Sequence, residues 1–93
     1  MRYPVIWTEK ASDEYVEILK FLDAKYGINT AMKVYDEVER VCNLIATFPE
    51  LYQKLDSKPN LRRAVILKKT ILLYYFTGDK VEIRNVFDAR SDY

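Results

Sequence analysis

Arginine and lysine side chains in the C-terminal third are the residues of this chain best suited to bind an anion. Six of the seven basic residues after residue 60 are candidates: Arg62, Arg63, Lys68, Lys69, Arg84 and Arg90. A guanidinium group presents a planar fork of N–H donors that matches a phosphate or a carboxylate. Residues 1–60 carry a net charge of −2 and residues 61–93 a net charge of +3. The same cations could instead guard strand edges or form cross-strand ion pairs, and charge alone leaves both interpretations open.

Composition excludes several other kinds of site. The chain has no histidine, which excludes a Ser-His-Asp or Cys-His arrangement and a histidine metal site. The single cysteine, Cys42, falls on the apolar stripe of a predicted helix and is interpreted as a core residue. Two glycines are too few to build a loop that cradles phosphate. We therefore expect neither a metal nor a cofactor.

The basic side chains must be held by a β-meander. Three β-rich runs, "RRAVIL", "TILLYYF" and "KVEIRNVF", are separated only by "KK" and "TGD". Links this short allow only antiparallel hairpins. Alternation along the last run predicts that Val81, Ile83, Asn85 and Phe87 point inward, and that Arg84 points to the uncovered face.

Two other parts of the meander, its first residues and a pair of consecutive tyrosines, can place side chains on the same uncovered face. Arg62 or Arg63 can reach it from the first run. Tyr74 and Tyr75 are consecutive, so one of them must face the interior and the other the uncovered side. A concave surface with convergent arginines and a tyrosine is a reasonable cradle for an anion or a partner.

Two helices precede the meander. After the short strand "YPVIW", Thr8 stands at a helix N-cap position, and an apolar stripe with helical spacing runs to a terminating Gly27. A second stripe, capped by Asn29 or Thr30, ends before Pro49. Helices joined by so short a link form an antiparallel hairpin. The predicted order is β-α-α-β-β-β, an α+β fold with the helical hairpin packed on a small antiparallel sheet.

Size and composition predict a single domain over residues 1–93. No apolar run approaches the ~20 residues of a membrane span, and the N-terminus lacks the features of a signal peptide. A lone cysteine is typical of a reducing compartment. We therefore expect a cytoplasmic protein without a membrane partner.

The order and spacing of these elements resemble the RelE/ParE superfamily of type II toxin–antitoxin toxins. "WTEKASDEYVEILKFL" is similar to the first helix of that family, and "IATFPEL" to the close of its second helix. "LRRAVILKKTILLYYFTGDKVEIRNVFDARSDY" is similar to its meander, including an ending of the form "vfd.R.d". The resemblance implies a toxin neutralised by a cognate antitoxin. The matching ending implies that Arg90 is a site or partner residue and that Asp88 orients it. With the side chains predicted on the uncovered face, the candidate partner-binding residues are Arg63, Tyr75, Arg84, Asp88 and Arg90.

The superfamily has two branches, and the resemblance implies different targets for each. One branch inhibits DNA gyrase, with no known catalytic residues. The other branch cleaves mRNA on the ribosome. If this chain did the same, the six cations named above would stabilise the phosphorane, the intermediate formed when a 2′-hydroxyl attacks the phosphate. The proton would be taken by a lysine, Asp88 or Tyr93.

The gyrase-directed or otherwise non-hydrolytic branch is favoured for two reasons. Ala64, Val65 and Ile66 stand where the ribonuclease branch has basic side chains, and the net charge is only +1. A third hypothesis is a binding module on the same fold that has lost toxicity. In none of the three is sequence-specific DNA binding expected of this chain alone.

Overall fold

A computed structural model describes residues 1–90. The elements are β1 (Val5–Trp7), α1 (Glu9–Tyr26), α2 (Ile28–Thr47), β2 (Arg62–Ile66), β3 (Thr70–Phe76) and β4 (Val81–Asp88). This is the predicted β-α-α-β-β-β order. The helical hairpin covers one face of a four-stranded sheet with strand order β1-β4-β3-β2.

One part of the fold prediction is wrong, because the sheet is mixed rather than antiparallel. The meander strands are antiparallel, but β1 runs parallel to β4, with Val5 opposite Val81 and Trp7 opposite Ile83. The short-link argument applies only to strands joined by hairpins. The chain between β1 and β4 contains both helices, which is long enough for a parallel pairing.

The helix boundaries follow from local chemistry. The Thr8 hydroxyl accepts a hydrogen bond from the Ala11 N–H at 3.1 Å, so the predicted N-cap is confirmed. Gly27 ends α1 with φ of 98°, a conformation that favours glycine, and also begins α2 without a side-chain cap. The expected cap at Asn29 or Thr30 is therefore wrong, since a single residue links the two helices.

The core lies between the hairpin and the sheet. Ile18 and Leu22 of α1 are fully buried with Val38 and Ile45 of α2. They pack against buried residues of the sheet, Ala64, Ile66, Leu72, Tyr74, Val81, Ile83 and Val86. Burial of these side chains supplies most of the driving force for folding.

A β-bulge in β4 changes which side chains face the core. The register with β3 shifts between Leu73 and Tyr74, where Asn85 and Ile83 are their partners, so that Arg84 is the extra residue. The Glu14 carboxylate of α1 accepts hydrogen bonds from the Val86 N–H at 3.0 Å and from the Asn85 amide at 3.4 Å. The bulge reverses the alternation beyond it.

As a consequence, the side chains at the end of β4 point to the faces opposite to those predicted. Val86 and Asp88 are buried, whereas Phe87 is 45% exposed. The prediction that Phe87 points inward is therefore wrong, while Arg84 is exposed as predicted. Sequence periodicity could not show this, because nothing in the residues 84–85 marks a bulge.

Candidate partner-binding surface

The uncovered side of the sheet, called here the open face, carries two kinds of side chain. Val65, Ile71 and Phe87 lie opposite one another on β2, β3 and β4 and form an apolar row. Val65 is 48% exposed, so the row is accessible. The next row along the strands begins with Arg63, whose partner is Leu73. The open face is therefore apolar at one end and basic beside it.

Arg84 and Tyr75 are held together on this face. The Arg84 guanidinium carbon lies 5.5 Å from the Tyr75 ring centroid, and the guanidinium also pairs with the Glu82 carboxylate. The ring and the carboxylate together restrict the arginine. Tyr74 points into the core, where its hydroxyl donates to the Pro49 carbonyl at 2.7 Å. The predicted division of the tyrosine pair is confirmed.

Arg62 does not join the open face. Its guanidinium donates to the carbonyls of Tyr52 at 2.8 Å and Glu50 at 3.2 Å, and it lies 3.5 Å from the Glu50 carboxylate. The side chain is only 12% exposed. Arg62 therefore anchors the irregular segment that connects α2 to β2, and these backbone partners were invisible to the sequence.

Arg90 also lies elsewhere. Its Nε and Nη2 donate to the two Asp88 carboxylate oxygens at 2.9 and 2.8 Å. Asp88 shares the covered face of the sheet with Thr70, whose hydroxyl donates to it at 2.6 Å. The Arg90 guanidinium carbon lies 5.9 Å from the ring of Tyr26, at the end of α1. Of the two alternatives for β2, Arg63 and not Arg62 therefore lies on the open face with Arg84, while the candidate site residue Arg90 does not join them.

The remaining predicted residues are at the two ends of the meander. Lys68 and Lys69 are exposed in the turn between β2 and β3. The Lys69 carbonyl accepts a hydrogen bond from the Ala89 N–H at 2.8 Å, which places Ala89 beside this turn. Tyr93 lies outside the described residues.

Where the fold shifts the pKa of a side chain, it shifts that pKa further from pH 7. Burial raises the pKa of the Cys42 thiol and of the Tyr74 hydroxyl, each to about 12. Burial also raises the pKa of Tyr15. At Asp88, burial opposes ionisation, but hydrogen bonds from Arg90 and Thr70 outweigh it and hold the pKa below its usual range. None of these groups is poised to exchange a proton near pH 7.

Within residues 1–90, no cluster of potential ligands could hold a metal ion. No helix in that range is long and apolar enough to cross a membrane.

The apolar row is the feature that the sequence prediction missed. "RRAVIL" and "TILLYYF" carry apolar residues on both faces of the strand. When one face packs against the helices, the other face presents a second apolar surface, either to another element or to solvent. That signal was available. The position of Phe87 beside Val65 and Ile71 was not, because it depends on the bulge.

Chains of two solved toxin–antitoxin assemblies share this architecture. A chromosomal ParDE toxin–antitoxin system from P. aeruginosa contains a chain that superposes with a TM-score of 0.76 at 18% identity, covering 96% of this chain and 98% of that one. A chain of the E. coli DinJ–YafQ toxin–antitoxin complex superposes with a TM-score of 0.65 at 14% identity, covering 95% and 93%. No curated protein sequence matches the chain.

The protein belongs to the class of small toxins with the RelE/ParE-like fold. A family model for the ParE toxin of the type II toxin–antitoxin system parDE matches residues 5–93. The chain therefore belongs to the ParE toxin family.

Proposed function

We propose that this toxin arrests growth by binding DNA gyrase, without cleaving nucleic acid, and that a cognate antitoxin neutralises it. The ParE family model over residues 5–93 supports the class. The observation that carries the choice of a protein target is the open face, where an exposed apolar row adjoins Arg63 and Arg84 lies further along β4.

An apolar row of this kind suits a protein partner better than a nucleic-acid backbone. Val65 and Phe87 are each nearly half exposed, with Ile71 between them. Contiguous exposed apolar side chains mark protein interaction sites, and arginine is enriched at the centres of such interfaces. An RNA strand would instead need cations along its path.

Arginines that are already engaged in contacts within the protein also support binding to a target over cleavage of RNA. Cleavage through a 2′-hydroxyl needs a group that accepts its proton and cations that stabilise the phosphorane. Arg62 is committed to backbone carbonyls and Arg90 to Asp88. The displaced pKa values of Cys42 and Tyr74 lie far above neutrality.

The antitoxin is proposed from the same relationship. Two of the solved structures that this chain resembles come from a ParDE system and from a DinJ–YafQ complex, both toxin–antitoxin assemblies. An acidic, amphipathic segment would complement the apolar row and the arginines of the open face. Co-expression with the product of a neighbouring open reading frame should abolish growth arrest.

The test of the target is a supercoiling assay. Purified toxin is added to DNA gyrase and relaxed plasmid, and we expect loss of supercoiling together with trapped cleaved DNA. Topoisomerase I relaxation, with the same toxin preparation, is the control and should be unchanged. Normal supercoiling at saturating toxin would exclude gyrase as the target.

The ribosome-dependent ribonuclease is the second candidate, because exposed Lys68 and Lys69 and the arginines of the open face could contact RNA. Transcript ends mapped in an arrested culture would decide between the two. Cleavage within translated codons favours the ribonuclease, and intact transcripts favour gyrase. A culture that grows normally would point to a non-toxic binding module.

A further inference from the structure

A second surface feature stands apart from the apolar row. An open cleft of about 630 Å³ lies between the start of α1, the end of the irregular segment before β2, and one end of the open face. Its lining includes Lys10, Lys58, Asn60, Tyr75, Arg84 and Asn85. The volume falls within the roughly 300–1,000 Å³ of small-molecule sites.

The charge of the cleft is of one sign. Lys10, Lys58 and Arg84 contribute three cations from three separate segments, and the described residues that line the cleft include no carboxylate. Glu82 compensates Arg84 from outside the lining. Among residues 1–90, neither Lys10 nor Lys58 forms an ion pair. Two lysines that form no ion pair therefore remain to attract an anion.

The other residues that line the cleft indicate which chemical group the bound anion carries. Tyr75 is half-buried and offers an aromatic surface next to the fixed Arg84 guanidinium. Asn60 presents an amide, which both donates and accepts hydrogen bonds, and Asn85, whose amide N–H donates to Glu14, also lines the cleft. An anion of charge about −2 matches two lysines, and an aromatic ring with amides suits a base and a sugar.

We propose that this cleft binds a nucleoside phosphate, with its phosphate at Lys10 and Lys58 and its base beside Tyr75. The ligand is either a free nucleotide or one nucleotide of a single strand, which share this chemistry. The site is separate from the Lys68–Lys69 turn, which lies at the opposite end of β3. It is also independent of gyrase, so it can be tested without that enzyme.

The test is an NMR titration of the ¹⁵N-labelled full chain with 5′-AMP, adenosine, inorganic phosphate and a single-stranded hexanucleotide. We expect the backbone amide signals of Lys58, Asn60, Leu61, Tyr75 and Arg84 to shift and saturate with a phosphorylated nucleoside, at lower concentration than with adenosine or phosphate alone. Saturation by 5′-AMP indicates a free nucleotide. Saturation by the hexanucleotide alone indicates a strand.

A pair of double variants tests the residues. Lys10→Gln with Lys58→Gln should weaken binding by about tenfold or more, because two charge-assisted contacts are lost. Lys20→Gln with Lys33→Gln makes the same change of net charge on exposed helix positions and should leave binding unchanged. All four side chains are exposed, so unchanged circular dichroism is expected for both variants.

Three outcomes would overturn the proposal. In the first, no nucleotide saturates the cleft signals at millimolar concentration. In the second, the two double variants weaken binding equally, which indicates general charge attraction. In the third, a hexaglutamate peptide displaces the nucleotide at lower concentration than the nucleotide itself binds, which indicates an acidic protein segment.

Discussion

Asp88 accepts hydrogen bonds from both the backbone N–H and the guanidinium of Arg90, two residues further along the chain. The Asp88 side chain is fully buried, and that of Arg90 is only 18% exposed. A pair with so little solvent contact resists screening, and removal of one partner leaves a buried charge. This contact holds Arg90 against the end of the sheet and near Tyr26 at the end of α1.

Asp88→Asn should lower the free energy of unfolding at pH 7 by about 3 kcal/mol, since Arg90 loses its ionised partner. The pKa of Asp88 is lower in the folded chain than in the unfolded chain. The stabilisation is therefore complete above the unfolded value of about 4, and is lost as the pH falls through the folded value. Urea denaturation between pH 2 and pH 7 measures both effects.

Asp23→Asn provides the control for that series, because Asp23 is exposed on α1. Its stability should keep the wild-type dependence on pH. Should Asp88→Asn retain the full acid-dependent loss seen in the wild type, the ion pair would not be its source.

Arg62→Lys should loosen the segment between α2 and β2. A lysine cannot reproduce the fork that reaches the Glu50 and Tyr52 carbonyls, so we expect a loss of about 1–2 kcal/mol in the free energy of unfolding. Limited proteolysis within residues 49–61 should become faster. Arg63→Lys, at an exposed neighbouring position, should change neither measurement, and equal effects of the two substitutions would contradict this assignment.

The turn between β2 and β3 stores backbone strain. Leu67 and Lys68 have φ of 51° and 70°, in the left-handed region that costs a non-glycine residue about 1–2 kcal/mol. Leu67→Asn combined with Lys68→Gly should therefore raise the midpoint of urea denaturation. Gly78→Ala, at a φ of 101°, should lower it. A destabilised Asn-Gly variant would show that the Leu67 or Lys68 side chain outweighs the strain.

Cys42 should be unreactive in the folded chain. Burial raises the pKa of its thiol to about 12, so at pH 8 almost none of it is thiolate, the form that attacks a disulfide reagent. Reaction with such a reagent should be at least about a hundredfold slower than in the urea-unfolded chain, whose thiol has a pKa of about 8.5. Equal rates in the two states would contradict burial of the thiol.

Phe87→Ser tests the apolar row as the contact with gyrase. Phe87 is 45% exposed, so the fold should tolerate the change, while the concentration needed to inhibit supercoiling should rise by about tenfold. Val16→Ser, at a comparably exposed apolar position on α1, should inhibit as the wild type does. Full inhibition by the Phe87 variant would remove the apolar row from the interface.

Much of the architecture could be read from local patterns. The N-cap at Thr8, the terminating Gly27 and the hairpin links of the meander depend on neighbouring residues alone. The exposed position of Arg84 was also correctly predicted. The pairing of β1 could not be predicted, because a connection through two helices permits either direction.

The sequence by itself determined the order of elements and the family, because periodic burial and turn chemistry act within a few residues. The tertiary structure decided which cations are available. It committed Arg62 to backbone carbonyls and Arg90 to a buried carboxylate, and it left Arg84 at a bulge beside Tyr75. The carbonyl partners of Arg62 and the ring beside Arg84 come from segments brought together only by folding, so these contacts depend on distances that no local pattern contains. Asp88 and Arg90 are neighbours in the chain, but the burial of their ion pair depends on the same packing.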